Sequence, residues 1–128
     1  MKVLLDTHAF LWWNTEDPQL SKRAREIIAD GQSEIFISAA SAWEIAIKTS
    51  KGMLALPEPP AHYVEKRMNL YRFQALPIQI YHASRVYELP LHHADPFDRL
   101  LIAQSQIESM PLISVDSEIR KYEVEVVW

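Results

Sequence analysis

The sequence predicts an α/β fold in which a parallel sheet is covered by helices on both faces. Short, almost wholly apolar runs, Val3–Leu5, Ile35–Ile37 and Leu112–Val115, read as buried strands. Longer segments with helical periodicity lie between them, and strands that alternate with helices connect most simply by right-handed crossovers into one parallel sheet. The length of 128 residues suits one domain spanning 1–128. A chain near that size buries roughly two-thirds of its unfolded surface without a covalent staple.

Taken in order, residues 2–5 read as the first strand, and Asp6 is placed to cap a short helix through Phe10 and Leu11. Asp17-Pro18 marks a turn. Ser21 reads as the N-cap of a helix to about Ala29, with Ala24, Ile27 and Ile28 on one face and Gly31 as its C′ glycine. Residues 35–37 give a second strand. Ser41 opens a helix that carries Trp43, Ile45, Ala46 and Ile47 and ends near Gly52. Pro57, Pro59 and Pro60 form a turn within the domain. A helix follows from about Ala61 to Tyr71, then a third short strand within 73–78. Residues 79–89 read as an amphipathic helix with Ile80, Ala83, Val86 and Tyr87 in helical spacing. Asp95-Pro96 starts a strongly apolar helix through Ile107, which Pro111 stops. Residues 112–115 give a strand, Ile119 a helical turn and residues 124–128 a last strand.

Composition removes several chemistries. Without cysteine there is no disulfide, thiolate zinc site, iron–sulfur ligation or thiol nucleophile. Two glycines cannot build a dinucleotide fingerprint or a phosphate loop, and no serine sits in a nucleophile elbow. His8 and His92-His93 lack the HExxH spacing and read as surface or hydrogen-bonding residues. The net charge of −4 argues against general coating of nucleic acid, but leaves room for a nuclease with a local basic rim. No apolar run approaches the ~20 residues of a membrane helix. The N-terminus makes a poor signal peptide, so a soluble, cytoplasmic protein without membrane association is expected.

The informative residues are four carboxylates, Asp6, Glu44, Asp98 and Asp116, each at a strand end or a helix start. Each has a purely structural reading. Ser41 to Glu44 has the form of a capping box, and Asp95-Pro96-Phe97-Asp98 is a similar frame with Asp98 at N3. Asp6 and Asp116 also fit N-cap roles. In a parallel sheet, however, ligands bind beyond the carboxyl ends of the strands, and there the four acids share one rim. Such a concentration of negative charge is unfavourable unless a cation fills it. Oxygen ligands suit Mg²⁺ or Mn²⁺ rather than zinc, which points to phosphodiester chemistry. A glycosidase-style acid pair needs only two of the four.

Lys48 lies four residues beyond Glu44, as an i,i+4 ion pair or as a phosphate contact at the pocket rim, and Arg99 carries the same ambiguity. Trp12, Trp13, Trp43 and Trp128 read as core or interface residues. The adjacent Trp12 and Trp13 cannot easily face one core, so Trp13 is expected on a partner surface of a homodimer.

Several segments together resemble the PIN-domain family, and more narrowly the VapC-type toxins of toxin–antitoxin pairs. They are Leu5-Asp6-Thr7-His8, Leu11-Trp12-Trp13, the run from Ser38 through Trp43-Glu44 to Lys48, the run from His93 through Asp95-Pro-Phe-Asp98-Arg99 to Gln104, and Ser114-Val-Asp116 on to Tyr122. The resemblance covers nearly the whole chain and is most specific around Asp98. It implies a three-layer α/β/α sandwich and a Mg²⁺- or Mn²⁺-dependent ribonuclease restrained by a small antitoxin. Asp6, Glu44, Asp98 and Asp116 match the family's acidic positions, with Asp98 rather than Asp95 aligned to the acid before the apolar helix. Ser114 matches a position that often holds a hydroxyl. Two alternatives stay open: an acidic pocket that engages a partner's arginine without turnover, and a hydrolase of another phosphate ester or a sugar.

Overall fold

A computed structural model describes residues 1–128, the whole sequence. The strands are β1 (Lys2–Leu5), β2 (Glu34–Ser38), β3 (Gln74–Leu76), β4 (Leu112–Ile113) and β5 (Val126–Val127). The helices are α1 (Thr7–Thr15), α2 (Lys22–Ala29), α3 (Ala39–Ser50), α4 (Pro60–Tyr71), α5 (Ile80–Arg85) and α6 (Pro96–Glu108). Val86–Glu88 and Ile119–Lys121 are single 3-10 turns. All strand pairs are parallel, in the order β3-β2-β1-β4-β5.

Side-chain alternation along the strands divides the core into two layers. Val3, Leu5, Ile35, Ile37, Ile113 and Val127 face one side with Phe10 of α1, Ala24 and Ile28 of α2 and Val64 of α4. Leu4 and Leu112 face the other, against Leu101 and Ile102 of α6 and Ile119. The helices thus cover both faces, giving the α/β/α sandwich. Because β1 sits at the centre, the chain steps outward through β2 and β3 and then crosses back to place β4 on the other side of β1. The switch point of the sheet therefore lies between β1 and β4, where ligands of such folds bind.

Four local expectations are corrected. The N-cap of α3 is Ser38, whose hydroxyl accepts from the Ala40 amide, so Ser41 lies inside the helix and Glu44 falls in its second turn. The chain enters α3 directly from β2, and the first side chain able to cap is therefore the last residue of the strand. Gly31 is not a left-handed C′ glycine: α2 closes on Asp30 in an extended conformation, and Gly52 is the glycine with positive φ, at 72°. The 79–89 helix is shorter and faces differently, since Ile80 and Tyr87 are 86% and 94% exposed while His82 is buried. The His82 ring accepts the Gln79 amide at 2.9 Å and its Nε2 reaches Glu108 Oε2 at 2.9 Å, a polar anchor to α6 that hydrophobic periodicity cannot register. Trp13 is half-buried against the core, edge-on to Tyr71 at 5.4 Å, rather than exposed as expected. No helix is long and apolar enough to cross a membrane.

Candidate metal centre at the sheet switch point

Asp6 is the first residue beyond β1, and Ser114 and Asp116 follow β4 directly, so neighbouring parallel strands deliver them to one crevice. Asp6 also caps α1: its Oδ1 accepts the Ala9 amide at 2.8 Å. Capping fixes one oxygen and leaves the other for the crevice. After β4 the fully buried Ser114 hydroxyl accepts the Asp116 amide at 3.1 Å, and Asp116 Oδ1 accepts the Glu118 amide at 2.9 Å. These two turns fold the chain back and aim Asp116 Oδ2 inward.

The other two acids come from helices. Asp95 caps α6, accepting from the Phe97 and Asp98 amides at 2.8 and 3.3 Å, with Pro96 at N1 and Asp98 at N3 as the sequence predicts. A first-turn acid gains from the helix dipole and projects off the helix N-terminus into the crevice. Glu44 is buried, with Oε1 accepting from Thr7 Oγ1 at 2.6 Å and Oε2 paired with Lys48 Nζ at 2.7 Å. Thr7 Oγ1 also lies 2.9 Å from Ser41 Oγ, so the start of α1 and the side of α3 are joined at the basin floor.

His93 links Asp98 and Asp116. Its Nε2 lies 3.1 Å from Asp98 Oδ2 and 2.7 Å from Asp116 Oδ2. Its Nδ1 accepts the Asp95 amide at 3.1 Å, which assigns the proton to Nε2. His93, Asp98 and Asp116 bring potential ligand atoms within 4.8 Å of one another. With Nε2 as the donor, His93 orients the two carboxylates rather than adding a nitrogen ligand.

The electrostatics show how poorly the basin is compensated. Burial, then the neighbouring Asp95 charge, push the Asp98 carboxyl up to about 7; His93 opposes the shift, and Asp6 and Glu44 add to it. Burial raises the Asp6 carboxyl above its ordinary value, with the Ser114 hydroxyl, the Ala9 amide and His8 acting against it and Asp116 adding to it. For His93, burial opposes the charged form, but its hydrogen bond to Asp116 and the surrounding acids outweigh it and raise its pKa. Lys48 is raised by its hydrogen bond to Glu44, with burial opposing and the Glu44, Asp95 and Asp98 charges adding. Carboxylates gathered around an oxygen-lined crevice, with the Asp98 carboxyl pushed up to about 7, match the donor set of a hard divalent cation.

Asp6, Glu44, Asp98 and Asp116 therefore converge, with Ser114 beneath Asp116 and Lys48 at the edge. Arg99, for which the sequence left open an ion pair or a phosphate contact at the rim, is placed elsewhere. It is buried, and it donates to the carbonyls of Val86, Leu89, Pro90 and His93 and to the Tyr122 hydroxyl at 2.9–3.4 Å. One residue along α6 from Asp98, its side chain turns away from the crevice and pins the segment that carries His93. Sequence reasoning missed His93 and Thr7 as parts of the site. Thr7 had a signal, its adjacency to Asp6; His93 sits two residues before the Asp95 cap, and only the fold of that segment aims it inward.

A family model described as PIN domain matches residues 3–125. Ribonuclease VapC22 of Mycobacterium tuberculosis is 26% identical over 121 residues, covering 94% of this chain and 91% of that protein. Ribonuclease VapC16 of the same organism is 48% identical over 63 residues, a match spanning 49% of this chain and less than half, 43%, of that protein. Among solved structures, VapBC2 from Rickettsia felis bound to a DNA fragment from their promoter superposes with a TM-score of 0.72 at 13% identity, covering 99% of this chain and 98% of the other. A toxin–antitoxin complex from Klebsiella pneumoniae superposes with a TM-score of 0.68 at 18% identity, covering 98% and 96%. At these identities the superpositions speak for the fold.

Proposed function

The chain belongs to the PIN-domain family, and from that premise we propose that it is a metal-dependent endoribonuclease acting in the cytoplasm as the toxin of a toxin–antitoxin pair. The observation that carries the reading is the convergence of Asp6, Glu44, Asp98 and Asp116 at the switch point, with Asp98 held up to about 7 by burial and by like charge. The two similar proteins named ribonucleases support RNA as the substrate, and the toxin–antitoxin complexes among the structural relatives support an antitoxin partner.

Asp6 and Asp98 would be the principal ligands of Mg²⁺ or Mn²⁺, and Glu44 and Asp116 would complete the cage or orient water. When bound there, the cation would supply Lewis acidity to the phosphoryl oxygens and make water ionisable near neutral pH. The protein's own groups do the positioning. His93 holds Asp98 and Asp116 side by side through Nε2–H. Thr7 fixes one Glu44 oxygen, and Lys48 sits where it can neutralise a flanking phosphate. Asp116, at the mouth, orients the water that attacks phosphorus in line. The bond to the 3′ oxygen breaks, leaving a 5′ phosphate and a 3′ hydroxyl.

A specific observation also favours partner binding at this site. A groove of about 370 Å³ runs from Thr7 and Lys48 past Leu11, Trp12, Leu54 and Tyr63, apolar for most of its length. An antitoxin segment lying there with an arginine directed at the acids would block the same basin. RNA cleavage with Mn²⁺, with EDTA, and by Asp6→Asn and Asp98→Asn tests the catalytic reading. Cleavage that needs the metal and both acids is the expected result, and equal cleavage by all three proteins would refute it.

A further inference from the structure

The basin has little spare positive charge with which to hold a polyanion. Arg99 is consumed inside the fold, Lys48 is paired with Glu44 at 2.7 Å, and the chain carries a net charge of −4. With Lys48 shared between Glu44 and a flanking phosphate, a contact that does not rely on phosphate pairing would add to the affinity for RNA.

Trp43 is 57% exposed on α3, although large aromatic side chains normally bury most of their surface. Its ring meets Phe97 of α6 edge-to-face, with centroids 5.0 Å apart and an interplanar angle of 78°. Trp43 immediately precedes Glu44 and Phe97 immediately precedes Asp98, and their ring contact bridges α3 and α6, the helices that carry those two acids. Phe97 braces the indole while more than half of it stays open to solvent.

Resting on the ribonuclease reading, we propose that Trp43, braced by Phe97, is a stacking platform for a nucleobase of single-stranded RNA at the edge of the acidic basin. Every base offers a π-face, so such a platform holds a strand without reading its sequence. It selects single strands, because the faces of paired bases are already stacked. Few counterions are released by stacking, so this part of the affinity is insensitive to salt.

The test measures kcat/KM of the 128-residue chain on a short single-stranded RNA with Mn²⁺. Trp43→Ala is expected to lose roughly tenfold, with an equal loss at about 50 and about 200 mM salt. Trp43→Phe, which retains an aromatic face, is expected to recover most of it. An RNA with abasic positions flanking the cut is expected to react poorly with the wild type and to lose little more with Trp43→Ala, since either change removes the same contact. Three results would overturn the platform: undiminished activity in Trp43→Ala, equal losses on intact and abasic RNA, or intact RNA kinetics with an altered oligomeric state, which would assign Trp43 to a protein interface. If the wild type does not cleave RNA, it is the ribonuclease reading that fails.

Discussion

Asp98 is a residue whose ionisation is strongly opposed by its surroundings, and pH dependence follows from it. Its ordinary value is 3.8 and its folded value about 7, so between those limits the native state holds a proton that the unfolded state has released. The stability this contributes is present at the acid end and lost as pH rises through about 7. The raised Asp6 carboxyl acts in the same direction. So does His93, whose contribution is present below its ordinary 6.5 and lost above its raised folded value. In EDTA the melting temperature is therefore expected to fall from about pH 5 to about pH 8, and Asp98→Asn should remove much of that slope while abolishing cleavage. A flat profile for the wild type by differential scanning fluorimetry would contradict this account. Thr7→Val tests the basin floor: taking a 2.6 Å hydrogen bond from the buried Glu44 should cost about 1.5–3 kcal/mol in urea unfolding.

At the scale of elements, the segment between α5 and α6 has no regular ladder over residues 89–95 and depends on two side chains from elsewhere. Arg99 binds its carbonyls, while the Tyr122 hydroxyl donates to Pro90 O at 2.7 Å and accepts the His92 and His93 amides at 3.1 and 2.9 Å. This anchoring places His93 over the acids. Arg99→Lys is not conservative here, because one ammonium cannot reproduce a fork shared among several carbonyls. It is expected to destabilise the protein by at least about 2 kcal/mol and to speed amide exchange across residues 89–95. Unchanged stability with reduced RNA affinity would instead restore Arg99 to the rim. The helix caps show how far local patterns reach. Ser21, Asp6 and Asp95 cap the helices they precede, as their sequence positions imply. Ser38 displaces Ser41 because α3 follows β2 without a loop, a junction that a capping pattern does not encode.

For the whole molecule, a divalent cation would supply the counter-charge that the acidic basin calls for. Saturating Mn²⁺ should raise the melting temperature, by about 2.7 kcal/mol of stability at a concentration 100 times Kd, and EDTA should reverse it. No shift at millimolar Mn²⁺ would count against the cage. The alternation of strands and helices was sufficient to predict a parallel sheet covered on both faces, because burial on both sides imposes near-continuous apolar runs. The same sequence placed Asp6, Asp98 and Asp116 at strand ends or helix starts, with Ser114 just before Asp116 and Lys48 one turn beyond Glu44, while Glu44 itself proved to lie in the second turn of α3. What only the tertiary structure decided is which side chains face the crevice. Arg99 follows Asp98 in the chain yet points into the fold, because residues about 100° apart around a helix meet different neighbours. His93, read in the sequence as a surface or hydrogen-bonding histidine, bridges two acids because a segment pinned by Arg99 and Tyr122 carries it there. Sequence periodicity registers burial; the partners of a polar group depend on contacts between distant segments, and those exist only once the chain has folded.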